Sequence, residues 1–234
     1  MKLKDYLLKI LFPLKCPLCG EIIPLVSESC SCCGEESFVL SPEACRHCAA
    51  EKENCTCSEK GEIYLENVAG VYIYSGKIKS QIALFKFGKQ KNFAKEFSLR
   101  MSERVARVFS DADFDFVTFV PASEKAEKER GFNQSELLAK GVAEKLFVPK
   151  EDVLLKIKET DSQHKLSAKD RIKNLDGAFA VRDKAVVKDK VILICDDIKT
   201  TGTTLRRCSD TLYENGAKEV YCLVLAITDY LTDF

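Results

Sequence analysis

The sequence contains no apolar run near the roughly 20 residues that a membrane-spanning helix requires. Its first residues are basic and apolar, but Asp5, Lys9 and Pro13 interrupt the apolar patch, and no small-residue cleavage site follows. We therefore expect neither a secretory signal nor membrane insertion. We interpret the start as a short amphipathic helix that packs on the next domain of a cytoplasmic protein.

The chain also lacks a net charge, because 36 basic residues balance 36 acidic ones. Of its 234 residues, 46% are hydrophobic and 31% are charged, a mixture that argues against disorder. This length can bury a sizeable core. One main domain with an appendage is the expected organisation.

Cysteine is distributed very unevenly: nine of the twelve lie before residue 58. Clustered thiols without a secretory signal are more typical of metal ligands than of disulfides. The two-residue spacing within Cys16/Cys19, Cys30/Cys33 and Cys45/Cys48 lets one turn present two sulfurs to a tetrahedral zinc ion.

Two structural zinc sites are predicted from these cysteines. The predicted ligands are Cys16, Cys19, Cys30 and Cys33 for one ion, and Cys45, Cys48, Cys55 and Cys57 for the other. The last pair is one residue shorter than the others, so the second site is either distorted or completed by His47 or a water. Cys32 is spare in this scheme, although it could replace a neighbour.

The expected role of this cysteine-rich module is structural. It has few aliphatic residues, so metal binding would supply the folding free energy that a small core cannot. A nucleic-acid or protein contact is the functional alternative. Residues 1–62 contain ten acidic and seven basic residues, the wrong sign for a phosphate-binding surface.

From residue 63 onward, β-rich and helical segments alternate. Strands are predicted at 68–74, 114–121, 152–157, 190–195 and 219–227. The last two are continuous apolar runs typical of buried parallel strands. We therefore predict a zinc module at 1–62 and an α/β domain at 63–234, with helices on both faces of a parallel sheet and ligands at the carboxyl ends of its strands.

Two helices have clear end signals. Asn133 with Glu136 predicts a capping box before one helix, and Gly216 predicts the end of another. These two helices lie before and after the most informative stretch of the chain.

That stretch is VILICDDIKTTGTTL, residues 191–205. A strand at 191–195 is followed by Asp196 and Asp197, and residues 200–204 turn into the next helix. The helix amino terminus with Gly202 offers backbone N–H groups to a phosphate, and threonine hydroxyls add donors. Paired carboxylates accept hydrogen bonds from a vicinal diol, so the pattern favours a sugar phosphate. A Walker loop is excluded because its lysine is missing.

This stretch matches the motif of type I phosphoribosyltransferases, which bind 5-phosphoribosyl 1-pyrophosphate (PRPP). Three further segments, LFKFGKQKNFAKEF (84–97), RGFNQSELLA (130–139) and QHKLSAKDRIKNLDGAF (163–179), stand behind the cysteine-rich start. Together they resemble the ComF family of competence-associated proteins over essentially the whole chain. The resemblance implies a type I phosphoribosyltransferase-like parallel sheet with a hood, preceded by a double zinc ribbon, and a link to DNA uptake.

Site residues follow from the chemistry and this resemblance. Asp196 and Asp197 are expected to hold the ribose hydroxyls. The 5-phosphate would be bound by Thr200, Thr201, Gly202, Thr203 and Thr204. The candidate cations for the pyrophosphate are Lys125, Lys128 and Arg130, with Mg²⁺ bridging ligand oxygens. The polar hood residues are Gln163, Arg171 and Asn174, which either face the ligand or belong to a surface loop. No residue is identified as a base for an acceptor, so transferase activity is left open.

A non-catalytic role in binding single-stranded DNA is the alternative hypothesis. No acidic residue occurs between Asn67 and Lys95, and phenylalanines alternate there with lysines. The residues concerned are Lys77, Lys79, Lys86, Lys89, Lys91, Lys95, Phe85, Phe87 and Phe93. A solvated helix face above a phenylalanine core is the favoured explanation, because the chain has no net charge. DNA-uptake proteins would be the partners, and the pattern predicts no oligomeric state.

Overall fold

The computed structural model describes residues 13, 15–23, 30, 39–55, 57, 65–88, 90–158 and 177–228. The predicted zinc ligand Cys33, the spare Cys32, the predicted hood residues and Lys89 lie outside the described residues. Those hood residues are Gln163, Arg171 and Asn174.

A four-stranded parallel sheet forms the centre of the described structure, in the order β1-β6-β5-β2. Its strands are β1 (Val68–Ile73), β2 (Phe116–Phe119), β5 (Val191–Lys199) and β6 (Glu219–Ile227). The central strands β5 and β6 are buried along nearly their whole length, as their continuous apolar sequences predict. The predicted α/β class is confirmed.

Helices cover both faces of this sheet. They are α1 (Gly76–Phe87), α2 (Phe93–Val108), α3 (Glu124–Arg130), α4 (Gln134–Leu146), α5 (Lys184–Val187) and α6 (Thr203–Glu214), and a 3-10 turn spans Lys52–Asn54. Asn133 caps α4 by accepting from the Ser135 N–H, while Glu136 pairs with Lys150 rather than completing the capping box. Among the helices described, none has the length and apolar character needed to cross a bilayer.

Two of the strands form a separate antiparallel pair. The predicted strand at 152–157 is observed as β3 (Leu154–Lys156), and it pairs with β4 (Phe179–Val181) outside the parallel sheet. The chain touches β2 at one bridge, Val117 to Lys150, before it diverges. Only Leu154 is fully buried in β3, so this strand has one covered face, unlike the central strands.

The core consists of two clusters, one on each face of the sheet. Phe85, Phe97 and Met101 from α1 and α2 belong to the first. Leu205 of α6 belongs to the second, where it is joined by Leu40 and other residues of the cysteine-rich segment. That segment also pairs with the sheet through a bridge between Val39 and Tyr72. The boundary at residue 62 remains a prediction.

Strand β5 is longer than the sequence indicates. It was expected to end at Cys195, but it continues to Lys199 because β6 pairs with it through Ile227. Asp196 and Asp197 therefore lie in extended, paired backbone and project to opposite sides of the strand. Their carboxylates are held by the sheet rather than by a loose turn.

Candidate functional site

A cavity of about 340 Å³ opens at the carboxyl ends of β5 and β6. This is the edge where ligands bind in open parallel α/β sheets, and the volume is within the range of small-molecule sites. Strand β5 contributes Asp196 to Lys199, the following turn contributes Thr200 and Gly202, and α6 contributes its first residues. Lys86 and Phe87 of α1 and Arg130 of α3 also line the cavity.

The two carboxylates have different partners. Asp197 pairs with Lys86 of α1, whose Nζ lies 2.9 Å from Oδ2, and both side chains are largely buried. Asp196 accepts from Ser135 Oγ at 2.7 Å and from the Asp197 N–H at 2.9 Å. Each carboxylate is thus fixed by a contact from a helix, Asp197 from α1 and Asp196 from α4.

Burial dominates the protonation of Asp196. Removal from water and, secondarily, the negative charge of Asp197 raise the pKa of Asp196 to about 7, against the lowering effects of Ser135, the Asp197 N–H and Lys86. The unfolded-state value is close to 4. The folded protein therefore binds the proton more tightly, and this group lowers the stability as the pH rises from about 4 to about 7.

The turn after β5 presents backbone to the cavity. Gly202 has a φ of 81°, a left-handed conformation that disfavours side chains with a Cβ, and it caps the amino terminus of α6. A Cβ at this position would stand 3.1 Å from Lys199 Cε. Thr201 and Thr203 share a hydroxyl hydrogen bond of 2.8 Å. The Thr203 N–H donates to Thr201 Oγ1 at 3.4 Å, and the amino end of α6 lines the cavity with Thr203 and Thr204.

Arg130 is held at the cavity wall by two neighbours. Its Nη1 donates to Gln134 Oε1 at 2.9 Å, and its guanidinium carbon lies 5.1 Å from the centre of the Phe87 ring. The other two predicted cations, Lys125 and Lys128, are exposed on α3, and Lys128 pairs there with Glu124 at 3.3 Å. Of the three, Arg130 is the one among the described residues that line the cavity.

Several lining or supporting residues were not among the predicted site residues. Lys86 was interpreted only as part of the basic run, and the buried Lys199 and Ser135 were not singled out. The RGFNQS segment contains Ser135, and the motif segment contains Lys199, so both lay within stretches that were already informative. Lys86 lies in the LFKFGKQKNFAKEF segment, but its contact with Asp197 joins residues far apart in the chain, which the sequence does not reveal.

The described cysteines of the first quarter form two groups. The sulfurs of Cys45, Cys48, Cys55 and Cys57 all lie within 4.8 Å of one another, and so do those of Cys16, Cys19 and Cys30. Four thiols at such separations suit a tetrahedral zinc ion, so the shorter Cys55/Cys57 spacing does not keep that pair from the cluster. His47 Nδ1 lies 2.9 Å from the Leu65 carbonyl, which can only accept, so this nitrogen is a donor and not a ligand.

Comparison with known proteins places this site in a family. Residues 133–229, which include α4, β5 and α6, match the family described as the phosphoribosyl transferase domain. Competence protein ComFC of Bacillus subtilis is 29% identical over 80% of this chain and 72% of its own length. Competence protein ComFC of Streptococcus pneumoniae is 28% identical over 88% and 97%. The chain is thus similar to competence proteins over most of its length, and its second half contains the phosphoribosyl transferase domain.

Another relative and a solved structure align with a smaller share of the chain. DNA utilization protein YhgH of Escherichia coli K12 is 35% identical over 47% of this chain and 48% of its own. A glutamine PRPP amidotransferase from Bacillus subtilis is 26% identical in structural alignment, with a TM-score of 0.36, over 55% of this chain and 25% of that enzyme. A TM-score this low supports no conclusion. The type I phosphoribosyltransferase-like fold of this protein rests on the domain match at residues 133–229 and on the parallel sheet.

Proposed function

We propose that this protein binds a ribose 5-phosphate ligand, above all PRPP with Mg²⁺, in the cavity at the carboxyl ends of β5 and β6. The observation that carries the proposal is that Asp196 and Asp197 line one cavity with four residues of the following turn, Thr200, Gly202, Thr203 and Thr204. The fifth predicted phosphate-binding residue, Thr201, is not among the described residues that line this cavity, and its hydroxyl bonds to that of Thr203. Carboxylates accept from hydroxyls, and the turn donates to a phosphate. A ribose 5-phosphate carries both groups a few bonds apart.

The cations of the cavity suit the second phosphate group of PRPP. Arg130, Lys86 and Lys199 line the same cavity as the turn, and Lys199 Cε stands 3.1 Å from the position of a Cβ on Gly202. Lys86 now neutralises Asp197, so a ligand that takes hydroxyl hydrogen bonds to Asp197 would free the ammonium group for the pyrophosphate. Mg²⁺, when bound with PRPP, would offset the negative charge of the phosphate groups. If the ribosyl group is transferred, a lone pair of the acceptor forms the new bond to C1, the C1–O bond to pyrophosphate breaks, and pyrophosphate leaves with the bonding pair towards these cations.

A role in DNA uptake in the cytoplasm is the biological part of the proposal. It is supported by the names of the relatives, two competence proteins and one DNA utilization protein. We further propose that the cysteine clusters hold structural zinc, because their donor sets fit that ion. The module at 1–62 would then be a metal-stabilised extension of the α/β domain at 63–234.

Calorimetric titration of the full-length protein tests ligand binding. PRPP with Mg²⁺ should bind more tightly than ribose 5-phosphate, because only PRPP offers a group to Arg130 and Lys86. Binding should strengthen between pH 6 and 8, since the raised pKa of Asp196 means that its carboxylate becomes a full acceptor across that range. Affinity that is flat with pH would count against Asp196 as a ligand group, and no heat with either compound would refute the proposal.

Single-stranded DNA binding is kept as a second candidate because the acid-free stretch from Asn67 to Lys95 accompanies the name of the YhgH relative. The structure reduces the number of residues in this stretch that DNA could contact. Phe85 and Phe93 are buried in the core, as the solvated-helix explanation predicted, whereas Phe87 is 65% exposed at the cavity mouth. Lys86 is engaged with Asp197. The remaining basic candidates include Lys91 and Lys95, both of which are exposed.

Charge reversal tests this candidate without touching the cavity. If the stretch binds DNA backbone, the Lys91→Glu/Lys95→Glu variant should lose at least about tenfold in affinity for single-stranded DNA and show a shallower salt dependence. The matched control is Lys140→Glu/Lys145→Glu, which makes the same charge change on exposed positions of α4. Equal losses in both variants would indicate a general charge effect and no site. An unchanged Lys91/Lys95 variant would remove this surface from consideration.

A further inference from the structure

The turn between Cys45 and Cys48 is joined to Leu65 by two hydrogen bonds. His47 Nδ1 donates to the Leu65 carbonyl at 2.9 Å, and the Leu65 N–H donates to the His47 carbonyl at 3.4 Å. On its other side, the His47 N–H donates to Cys45 Sγ at 3.4 Å. The backbone of His47 is thus fixed by a cysteine of the cluster, and its ring is fixed on Leu65.

Leu65 in turn lies against the Thr200–Thr204 turn. Its side chain is 2% exposed, and its Cδ1 stands 3.8 Å from the position that a Cβ on Gly202 would occupy. It shares a buried cluster with Leu205, in the first full turn of α6. Any shift of Leu65 would be felt at the glycine that caps this helix, because a packed interior transmits displacement.

The cysteine cluster itself is suited to hold His47 in one position. The sulfurs of Cys45, Cys48, Cys55 and Cys57 lie within 4.8 Å of one another, as zinc ligands require. A bound zinc ion would keep this turn rigid, whereas four free thiols would not. The neighbouring Arg46 carbonyl accepts from the Val68 N–H at 2.8 Å, so the same turn is also tied to the start of β1.

We propose that His47 is a positioning residue that links the Cys45–Cys57 cluster to the phosphate-binding turn through Leu65. The inference rests on the proposed function, because it assigns the Thr200–Thr204 turn to the ligand phosphate. Its consequence is that the state of the cysteine cluster sets the order of a turn on the other side of Leu65. The cluster is then part of the ligand site in an energetic sense, although none of its residues is among the described residues that line the cavity.

Amide hydrogen exchange at residues 200–204 of the full-length, metal-loaded protein tests the link directly. His47→Leu removes the ring donor, so exchange in the turn should accelerate by about threefold to tenfold, the factor that one hydrogen bond contributes to an opening equilibrium. His47→Asn is the matched control, because its amide can place a donor near the position of Nδ1. That variant should exchange like the wild type. Zinc content should be the same in all three proteins.

A second variant covers the case in which His47→Leu loses metal or fails to fold. Leu65→Val shortens the side chain on the Gly202 side of the link and lies outside the cysteine cluster, so it should also accelerate exchange at 200–204. The link is overturned if exchange at residues 200–204 is unchanged in Leu65→Val. It is also overturned if exchange there is unchanged in His47→Leu that retains its metal. It is likewise overturned if His47→Asn accelerates exchange as much as His47→Leu.

Ligand titration on the same proteins separates the link from the proposed function. Ribose 5-phosphate should bind His47→Leu about threefold to tenfold more weakly than the wild type, with His47→Asn close to the wild type. A wild type that binds neither ribose 5-phosphate nor PRPP refutes the proposed function, yet the exchange rates still decide the link. A wild type that binds, combined with exchange rates that do not respond, refutes the link alone.

Discussion

Replacing Asp196 and Asp197 together by alanine should abolish the thermal stabilisation that PRPP with Mg²⁺ gives the wild-type protein. Each carboxylate is expected to accept from a ribose hydroxyl, and a hydrogen bond to a charged group is worth about 1.5–3 kcal/mol. Losing two should therefore weaken binding by well over tenfold. Thermal denaturation with and without ligand is the measurement, and titration calorimetry gives the affinities.

The stability of the unliganded variant must be measured as well, because Asp197 does more than face the cavity. It neutralises Lys86, and both side chains are largely buried. Removing one partner of a buried pair leaves a charge without compensation, which costs about 3–5 kcal/mol when the site is fully closed to water. The cost should be lower in this cavity, which is open to solvent, and Lys86→Gln in the Asp197→Ala background should recover it.

A matched control separates the carboxylates of the site from a simple change of charge. Asp111→Ala/Asp113→Ala removes two exposed aspartates that lie close to each other at the opposite end of the sheet from the cavity. This control should keep the full response to PRPP. Gly202→Val should lose it by another route, since a side chain there would crowd Lys199 and strain a left-handed backbone. A double-alanine variant that still responds fully would place the sugar elsewhere.

The sheet was the part of the fold that sequence patterns predicted best. The apolar run at 219–227 is β6 residue for residue, and that at 68–74 contains β1. Such runs are long, continuous and buried on both faces, so local composition is enough to identify them. The short β3 was also found, but its antiparallel partner β4 was not, because pairing depends on which strand is adjacent in space and a three-residue segment carries little pattern.

The candidate site was predictable only where the chain supplies it from one continuous segment. Asp196 and the threonines occur together in the sequence, so their meeting in one cavity follows from the strand and turn that carry them. Lys86 and Ser135 reach the carboxylates from other helices. From the sequence alone, the run of lysines and phenylalanines around Lys86 could also be an exposed helix face. In the structure, the packing of Phe85 against Phe97 shows which side of α1 faces the core.

Substituting one cysteine of the Cys45–Cys57 cluster should have the second large effect. Cys48→Ser should reduce zinc from about two ions per chain to about one and lower the melting temperature markedly, because structural zinc contributes about 10–16 kcal/mol in isolated small modules. Even a loss of about 3 kcal/mol would lower the melting temperature of a chain this size by about 6–12 °C. Metal analysis and thermal denaturation on one sample are the measurements.

The same change in the other cluster should cost less, because Leu18 beside Cys16 and Cys19 packs on the core only partly buried, whereas Ala44 and Ala49 beside Cys45 and Cys48 are buried in it. Around Cys45–Cys57, Leu40 is 1% exposed, and Arg104 Nη1 donates to its carbonyl at 2.8 Å from α2. Cys19→Ser should thus also remove one zinc but shift the melting temperature less than Cys48→Ser does.

Cys208→Ala controls for the loss of a buried thiol without a metal role, since Cys208 is fully buried in α6. It should keep both ions. Folded wild-type protein without zinc would refute the zinc assignment. Equal melting shifts for Cys19→Ser and Cys48→Ser would show that the docking contacts around Leu40 do not depend on the metal, because those contacts are what distinguishes the two clusters.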